Sequence, residues 1–160
     1  MNLLTEDIEE FGHILARSYF TEQGWQFTDI TRSGNKIIES LDTVNDQYNK
    51  YPYMNKDWYV ENSAEKNLHM TTKWDDLSKL VAFLHTWPEA FDFLLKFNAN
   101  RSLCIVKNKP ADLNTEQQLA IADARKAGFN VYIFKAEIPE NMDFELEEVI
   151  GGISGVGNFR

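Results

Sequence analysis

The sequence predicts one domain over residues 1–150, of the α/β or the α+β class, with a small mixed sheet flanked by helices. Two observations predict it. Residues 103–134 read as a strand, a short loop, a helix and a strand, and residues 103–106 form the continuous apolar run typical of a central strand. Hydrophobic residues make up 43% of the 160 residues and aromatic residues 13%, enough to build a core.

The first element is predicted to be a helix over residues 5–23, capped by Thr5 and stopped by Gly24. Acidic residues in its first turn suit the positive end of the helix dipole. Residues 25–30 alternate and predict a strand, and Ser33-Gly34-Asn35 predicts a turn. The apolar stripe of the helix is Ile8, Phe11, Leu15 and Tyr19.

The middle of the chain carries weaker patterns. Residues 37–48 favour a helix of modest apolar density. Residues 49–72 are polar and predict loops with one or two short strands, of which residues 58–60 form the best candidate. A group of aromatic residues there either covers the core beneath a long loop or is exposed to contact a partner: Tyr48, Tyr51, Tyr53, Trp58 and Tyr59.

A helical pair is predicted near residues 75–97. The first helix begins at Asp75 or Asp76, and the second follows the capping-box pattern Thr86-Trp87-Pro88-Glu89 and runs over residues 87–97. The inner face of the first helix is predicted to be Leu77, Leu80, Val81 and Leu84.

Further along, Asn114 or Thr115 is predicted to cap a helix that ends at Gly128, and residues 131–134 form the next strand. Residues 139–150 predict a short acidic helix. Residues 151–160 hold four of the eight glycines in the chain and are predicted to be a flexible tail.

Charge and composition narrow the classes of function. A net charge of −9 repels a polyphosphate and disfavours general binding of nucleic acid. The acidic charge fits an ordinary soluble cytoplasmic protein, which is the commonest case, a partner for a basic surface, or a charge mimic of nucleic acid. The single Cys104 excludes an intrachain disulfide. Without a signal-peptide pattern or an apolar run of about 18 residues, we expect a cytoplasmic protein that has no membrane partner.

Two polar residues are the candidates for chemistry. Lys107 leaves the central strand, and Gln117 or its neighbour Gln118 lies in the first turn of the next helix, so a lysine and an amide approach one sheet edge. A lysine and an amide there can orient a water molecule and stabilise charge on a phosphate. Such hydrolysis also needs carboxylates that hold Mg²⁺. If the site is active, Asp57 is the first candidate, and Glu61, Asp75 and Asp76 are the others.

The same residues resemble the PD-(D/E)xK nuclease superfamily, and within it the VRR-NUC-type domains. That pattern has a strand ending in Glu-x-Lys, a short loop, Leu-Ser-x-x-Gln opening a helix, a glycine and a final strand. Lys107 matches the lysine, residues 113–117 match the helix opening with Asn for Ser, and Gly128 matches the glycine. The resemblance implies a restriction-endonuclease-like fold. Ile105 occupies the glutamate position, which removes a metal ligand.

The sequence therefore predicts a non-catalytic acidic protein on a degenerate nuclease-like fold. We expect it to bind another protein as a regulator, an inhibitor or an assembly component, and to need no cofactor. A viral origin would suit such a protein. The alternative is a Mg²⁺-dependent nuclease whose carboxylates have migrated to other strands. A second alternative is the charge mimic.

Overall fold

The computed structural model describes residues 2–63, 73–97 and 100–149. A four-stranded sheet with flanking helices organises these residues. The strands are β1 Gln26–Asp29, β2 Phe93–Phe97, β3 Asn100–Asn108 and β4 Asn130–Ala136. The helices are α1 Thr5–Glu22, α2 Ile30–Lys50, α3 Lys56–Glu61, α4 Trp74–Thr86 and α5 Thr115–Lys126.

The sheet is mixed and its strands follow the order β1-β2-β3-β4. β1 and β3 each pair antiparallel with β2, and β4 pairs parallel with β3, so that Ile105 lies beside Ile133. A parallel pair requires a long crossover, and α5 supplies it. This arrangement confirms a small mixed sheet flanked by helices and places the domain in the α+β class.

Each face of the sheet carries its own apolar cluster, because neighbouring side chains of β3 point to opposite faces. Leu103 and Ile105 contribute to the larger cluster, to which α2, α4 and α5 also contribute. Cys104 belongs to the smaller one, which lies beneath α1 and consists of Ala16, Phe20, Phe93, Leu95 and Cys104.

Helix α1 matches its predicted range, and Gly24 with φ 74° confirms the predicted stop. Two details of the prediction for α1 were wrong, namely its N-cap residue and its buried face. Leu4 occupies the N-cap without a side-chain hydrogen bond, and the buried residues are Gly12, Ala16 and Phe20. Small residues at two of these positions let the helix backbone lie close to the sheet. The larger stripe residues therefore lie on the flank of α1, where Phe11, Leu15 and Tyr19 are more than 40% exposed.

The predicted turn at residues 33–35 was wrong, because α2 runs through it. Ile30, Ile37 and Val44 recur every seven residues and are fully buried or nearly so. Burying three such side chains stabilises the helix by several kcal/mol, whereas a glycine within it costs about 1 kcal/mol. Tertiary packing thus overrides the local turn preference, and the helix predicted over residues 37–48 is confirmed within a longer one.

Residues 58–60 lie in the short helix α3, so the predicted strand was wrong. Asn55 caps this helix by accepting a hydrogen bond from the Trp58 N–H at 2.9 Å. The aromatic residues of this region differ in exposure. Tyr59 is buried, and its hydroxyl donates a hydrogen bond to the Tyr51 carbonyl, while Tyr53 is 84% exposed. The rest of the predicted loop, residues 64–72, lies outside the described residues.

Of the predicted helical pair, only the first helix forms. Helix α4 buries all four predicted inner residues. Residues 93–97 are strand β2 instead of a second helix. Phe93 and Leu95 pack on one face of the sheet and Leu94 on the other. A strand buried on both faces has a continuous apolar sequence, which periodicity cannot distinguish from a buried helix.

Helix α5 and strands β3 and β4 confirm the predictions for residues 103–134. The acidic helix was wrong, since residues 139–149 contain no helix within the described part. Backbone contacts hold this segment beside the N-terminus: the Leu3 N–H donates to the Glu140 carbonyl at 2.6 Å. The predicted glycine-rich tail, residues 151–160, lies outside the described residues. Among the described helices, none is both long and apolar enough to cross a membrane.

Candidate functional site

A cleft of about 500 Å³ lies at the end of β3. Helix α1 contributes one wall, the loop before α5 another, and the residues that precede β2 a third. Its polar lining is Thr5, Glu9, His13, Glu89, Asp92, Lys107, Asn108, Lys109, Gln117 and Glu140. Acids and bases from four separate parts of the chain thus meet at one edge of the sheet.

Asp92 connects helix α1 to the sheet at the base of this cleft. One carboxylate oxygen, Oδ1, lies 3.3 Å from His13 Nε2. The other, Oδ2, accepts a hydrogen bond from the Val106 N–H at 2.7 Å. The hydrogen bond with Asp92 raises the pKa of His13 against the opposing effect of burial, and the charges of Asp92, Asp29 and Glu10 raise it further. The site therefore favours the imidazolium form of His13, and both oxygens of Asp92 are engaged.

Lys107 and Gln117 line the same cleft, as their spacing in the sequence predicts. Gln117 has a structural task there. Its N–H donates to Asn114 Oδ1 at 2.7 Å, and its Oε1 accepts from the Asn114 N–H at 3.1 Å. This reciprocal capping box fixes the start of α5 and occupies the amide oxygen of Gln117. Lys107 forms no ion pair with any described residue.

Asp57, the third candidate, lies outside the lining of the cleft. Its Oδ1 accepts a hydrogen bond from the Trp74 N–H at 2.7 Å. It therefore caps the first turn of α4 from the neighbouring helix α3. This role explains an aspartate at position 57 without any catalytic chemistry.

The position of the missing acid is part of the core. Ile105 is 0% exposed and packs in the larger apolar cluster. A carboxylate there would lie among aliphatic side chains, where an unpaired charge is strongly disfavoured. An isoleucine at position 105 thus suits the packing around it.

Sequence reasoning did not select Asp92, Glu89, Glu9 or His13 as residues of the site. Asp92 directly precedes an apolar strand, which is a usable signal for a site at a strand end. That signal was hidden because residues 87–97 were assigned to a helix. Glu9 and Glu89 are exposed acids in ordinary contexts, and only the fold brings them together.

The described residues do not form a ready-made site for a divalent metal. They contain no group of three or more His, Cys, Asp or Glu side chains arranged to hold an ion. Asp92 already bonds His13 and the Val106 N–H, and Ile105 offers no donor atom. We therefore derive no catalytic step through Mg²⁺.

Cys104 is buried in the smaller cluster beneath α1. Loss of solvation raises the pKa of its thiol to about 12. Because the thiolate is the reactive form, Cys104 is an inert core residue.

No family model, curated protein or solved structure matches this chain.

Proposed function

We propose that this protein acts by binding another protein and does not cleave nucleic acid, on a nuclease-like scaffold whose site has degenerated. The observation that carries the proposal is that Ile105, at the position where the resemblance expects a glutamate, is buried in the core and offers no donor atom to a metal ion. Both oxygens of Asp92, an acid that lines the cleft, already interact with His13 and with the Val106 N–H.

Support for the nuclease-like scaffold comes from the order of elements around the cleft. Strand β3 ends near Lys107, a short loop follows, and a capping box at Asn114 and Gln117 opens α5. Gly128 has φ 93° after the helix, where glycine is strongly favoured, and β4 then pairs parallel with β3. These are the features on which the resemblance to VRR-NUC-type domains depends.

Electrostatics argue against a nucleic-acid substrate. Lys107 and Lys109 line the cleft, but Glu9, Glu89 and Glu140 line it too. The whole chain carries a net charge of −9. A phosphate backbone would meet more negative than positive charge as it approached.

Exposed apolar residues support a protein partner. Phe144 is 69% exposed and Leu146 is 91% exposed, and Phe11 and Leu15 are exposed on the flank of α1. Adjacent exposed side chains of this size are typical of surfaces that bind other proteins.

A cleavage assay tests the proposal directly. Single- and double-stranded DNA and RNA are incubated with the protein in Mn²⁺, in Mg²⁺ and in EDTA. We expect no cleavage in any condition. Metal-dependent cleavage that disappears in Lys107→Ala and persists in Lys79→Ala, an exposed lysine of α4 outside the cleft, would overturn the proposal.

The alternative function is a metal-dependent nuclease with migrated carboxylates. The observation that favours it is that Glu9, Glu89 and Asp92 line one cleft together with Lys107. It predicts that Mn²⁺ raises the melting temperature and that Glu89→Gln abolishes the rise. We expect Mn²⁺ to leave the melting temperature unchanged in both proteins.

A further inference from the structure

The proposed function leaves the partner open, and one region of the molecule is both acidic and apolar. It comprises the flank of α1, at Phe11 and Leu15, and residues 137–149, the first of which lie beside that flank. Phe11 and Leu15 line a groove of about 210 Å³ together with Ile138, Pro139 and Met142. We call this region the acidic–apolar surface.

Its two components lie side by side. The Leu3 N–H donates to the Glu140 carbonyl at 2.6 Å, and Asn2 forms a β-bridge with Asn141. Residues 137–142 therefore lie beside the N-terminal part of α1, and residues 143–149 continue from them along the chain.

The apolar residues of this face are exposed in a segment that contains no helix. Met142 is 42% exposed, Val149 47%, Phe144 69% and Leu146 91%. Covering them removes apolar surface from water, and burying one such side chain contributes about 1.5–3 kcal/mol. A partner that covers several of them would gain most of its affinity there.

Charge identifies the kind of partner. Residues 137–149 contain no lysine or arginine, and their acids are Glu137, Glu140, Asp143, Glu145, Glu147 and Glu148. Acids alternate with Phe144 and Leu146, so a partner must offer apolar and cationic side chains together. A second copy would bring the same negative face and would be repelled.

We propose that the acidic–apolar surface binds a basic amphipathic helix of a partner protein. Leucine-like side chains of that helix would cover Phe144, Leu146 and the groove beside Leu15. Its lysine or arginine side chains would pair with the surrounding carboxylates. The inference rests on the proposed function, because it specifies the partner of a protein that acts by binding.

The probe is a synthetic amphipathic peptide of about 18 residues, long enough to form a helix when bound, built from leucine and lysine. The comparison peptide replaces each lysine with glutamate. Binding to the full-length protein is followed by fluorescence anisotropy of the labelled peptide. We expect the lysine peptide to bind at least about tenfold more tightly than the glutamate peptide, and to weaken as salt increases.

Paired variants locate the binding site. Phe144→Ser with Leu146→Ser should weaken binding of the lysine peptide about tenfold or more, because both anchors are lost. Leu119→Ser is the matched control, since Leu119 is 56% exposed on α5, away from this face. All of the substituted residues are exposed, so the melting temperature should not change. Equal binding by the double variant and the unchanged protein would overturn the inference, as would an equal loss in Leu119→Ser.

Other occupants give different results. A concentration-dependent dimer that Phe144→Ser disrupts would assign the surface to a second copy and overturn the inference. Tighter peptide binding after Ile153→Ser with Phe159→Ser would assign it to the protein's own C-terminal residues, with the same consequence. Failure of peptide binding in a protein that cleaves no nucleic acid would remove this inference and leave the proposed function standing. Metal-dependent cleavage would overturn the proposed function, whereas the peptide measurements would still decide whether this surface binds a basic helix.

Discussion

His13 on α1 and Asp92 at the start of β2 form an ion pair, with Nε2 and Oδ1 3.3 Å apart. Asp92 also accepts a hydrogen bond from the Val106 N–H of β3, so a single carboxylate joins a helix to two strands. About a fifth of each side chain is exposed, which leaves the pair partly screened by water. The strength of this connection depends on the charge of His13.

The first prediction follows from that charge. The pKa of His13 is raised in the folded protein, so the stabilisation is fully present below the ordinary value of 6.5 and is lost as pH rises through the folded pKa. We expect the free energy of unfolding to fall by about 1 kcal/mol over this range. Urea unfolding between about pH 6 and 8.5 measures it, because this interval spans the usual titration of histidine.

His13→Asn is the variant that removes this dependence, and His85→Asn is its matched control because His85 is exposed on α4. The difference between the unchanged protein and His13→Asn should shrink as pH rises. A difference that stays constant over the whole interval would contradict an imidazolium at position 13.

The second prediction concerns the missing acid. Ile105→Glu should lower the free energy of unfolding by about 3–5 kcal/mol, because an unpaired carboxylate would enter the larger apolar cluster. The control is Ile133→Glu at the adjacent position of β4, where the side chain is 39% exposed and the loss should stay below about 1 kcal/mol. Denaturant unfolding with and without Mn²⁺ measures the free energy of unfolding of both variants. Rescue of Ile105→Glu by Mn²⁺ would show that the cleft retains a metal site.

The third prediction tests the close approach of α1 to β3. A Cβ on Gly12 would lie 2.6 Å from Asn108 Oδ1 and 3.2 Å from Val106 Cγ1. Asn108 is itself held by a hydrogen bond from its Nδ2 to the Ile8 carbonyl at 3.3 Å. Gly12→Ala should therefore destabilise the protein by about 1–2 kcal/mol, although alanine is the better helix former.

A double-mutant cycle isolates this contact. In the Asn108→Ala background, Gly12→Ala should cost at least about 1 kcal/mol less, because the nearest atom has been removed. Additive effects of the two substitutions would show that Asn108 does not set the spacing between α1 and β3.

The fourth prediction concerns the reactivity of Cys104. Its thiol has a pKa of about 12 and lies beneath α1, so the folded protein should not react with dithionitrobenzoate at neutral pH. In urea the single thiol should react completely, which serves as the internal control. Rapid reaction of the folded protein would mean that α1 lifts from the sheet, and the Gly12 variant should then react faster still.

Local signals account for what the sequence predicted well. The capping box at Asn114 and Gln117 and the glycine at 128 are short-range features, and the helix between them appears where expected. The inner face of α4 follows a clear helical period. Such elements can be predicted because the residues that define them are close together in the chain.

The failures share a different cause, since each depends on what packs against the segment. Residues 93–97 are apolar because both faces of β2 are buried, and that pattern also fits a helix. Because residues 87–97 were predicted to be a helix, Asp92, which lies just before β2 and at the base of the cleft, was not recognised as a site residue. At residues 33–35 the local turn signal was outweighed by burial of Ile30 and Ile37.

The pairing of β1 with β2 has a consequence for the order of folding. These strands are neighbours in the sheet, yet α2, α3 and α4 lie between them in the chain. During synthesis α1 and β1 leave the ribosome long before β2 exists, whereas β2, β3, α5 and β4 follow one another directly. Contacts between residues far apart in the chain cost more loop-closure entropy. We therefore expect the C-terminal half to assemble first and β1 and α1 to join it afterwards. Pulse-labelled hydrogen exchange during refolding would show protection of β3 and β4 before β1, and simultaneous protection would contradict this order.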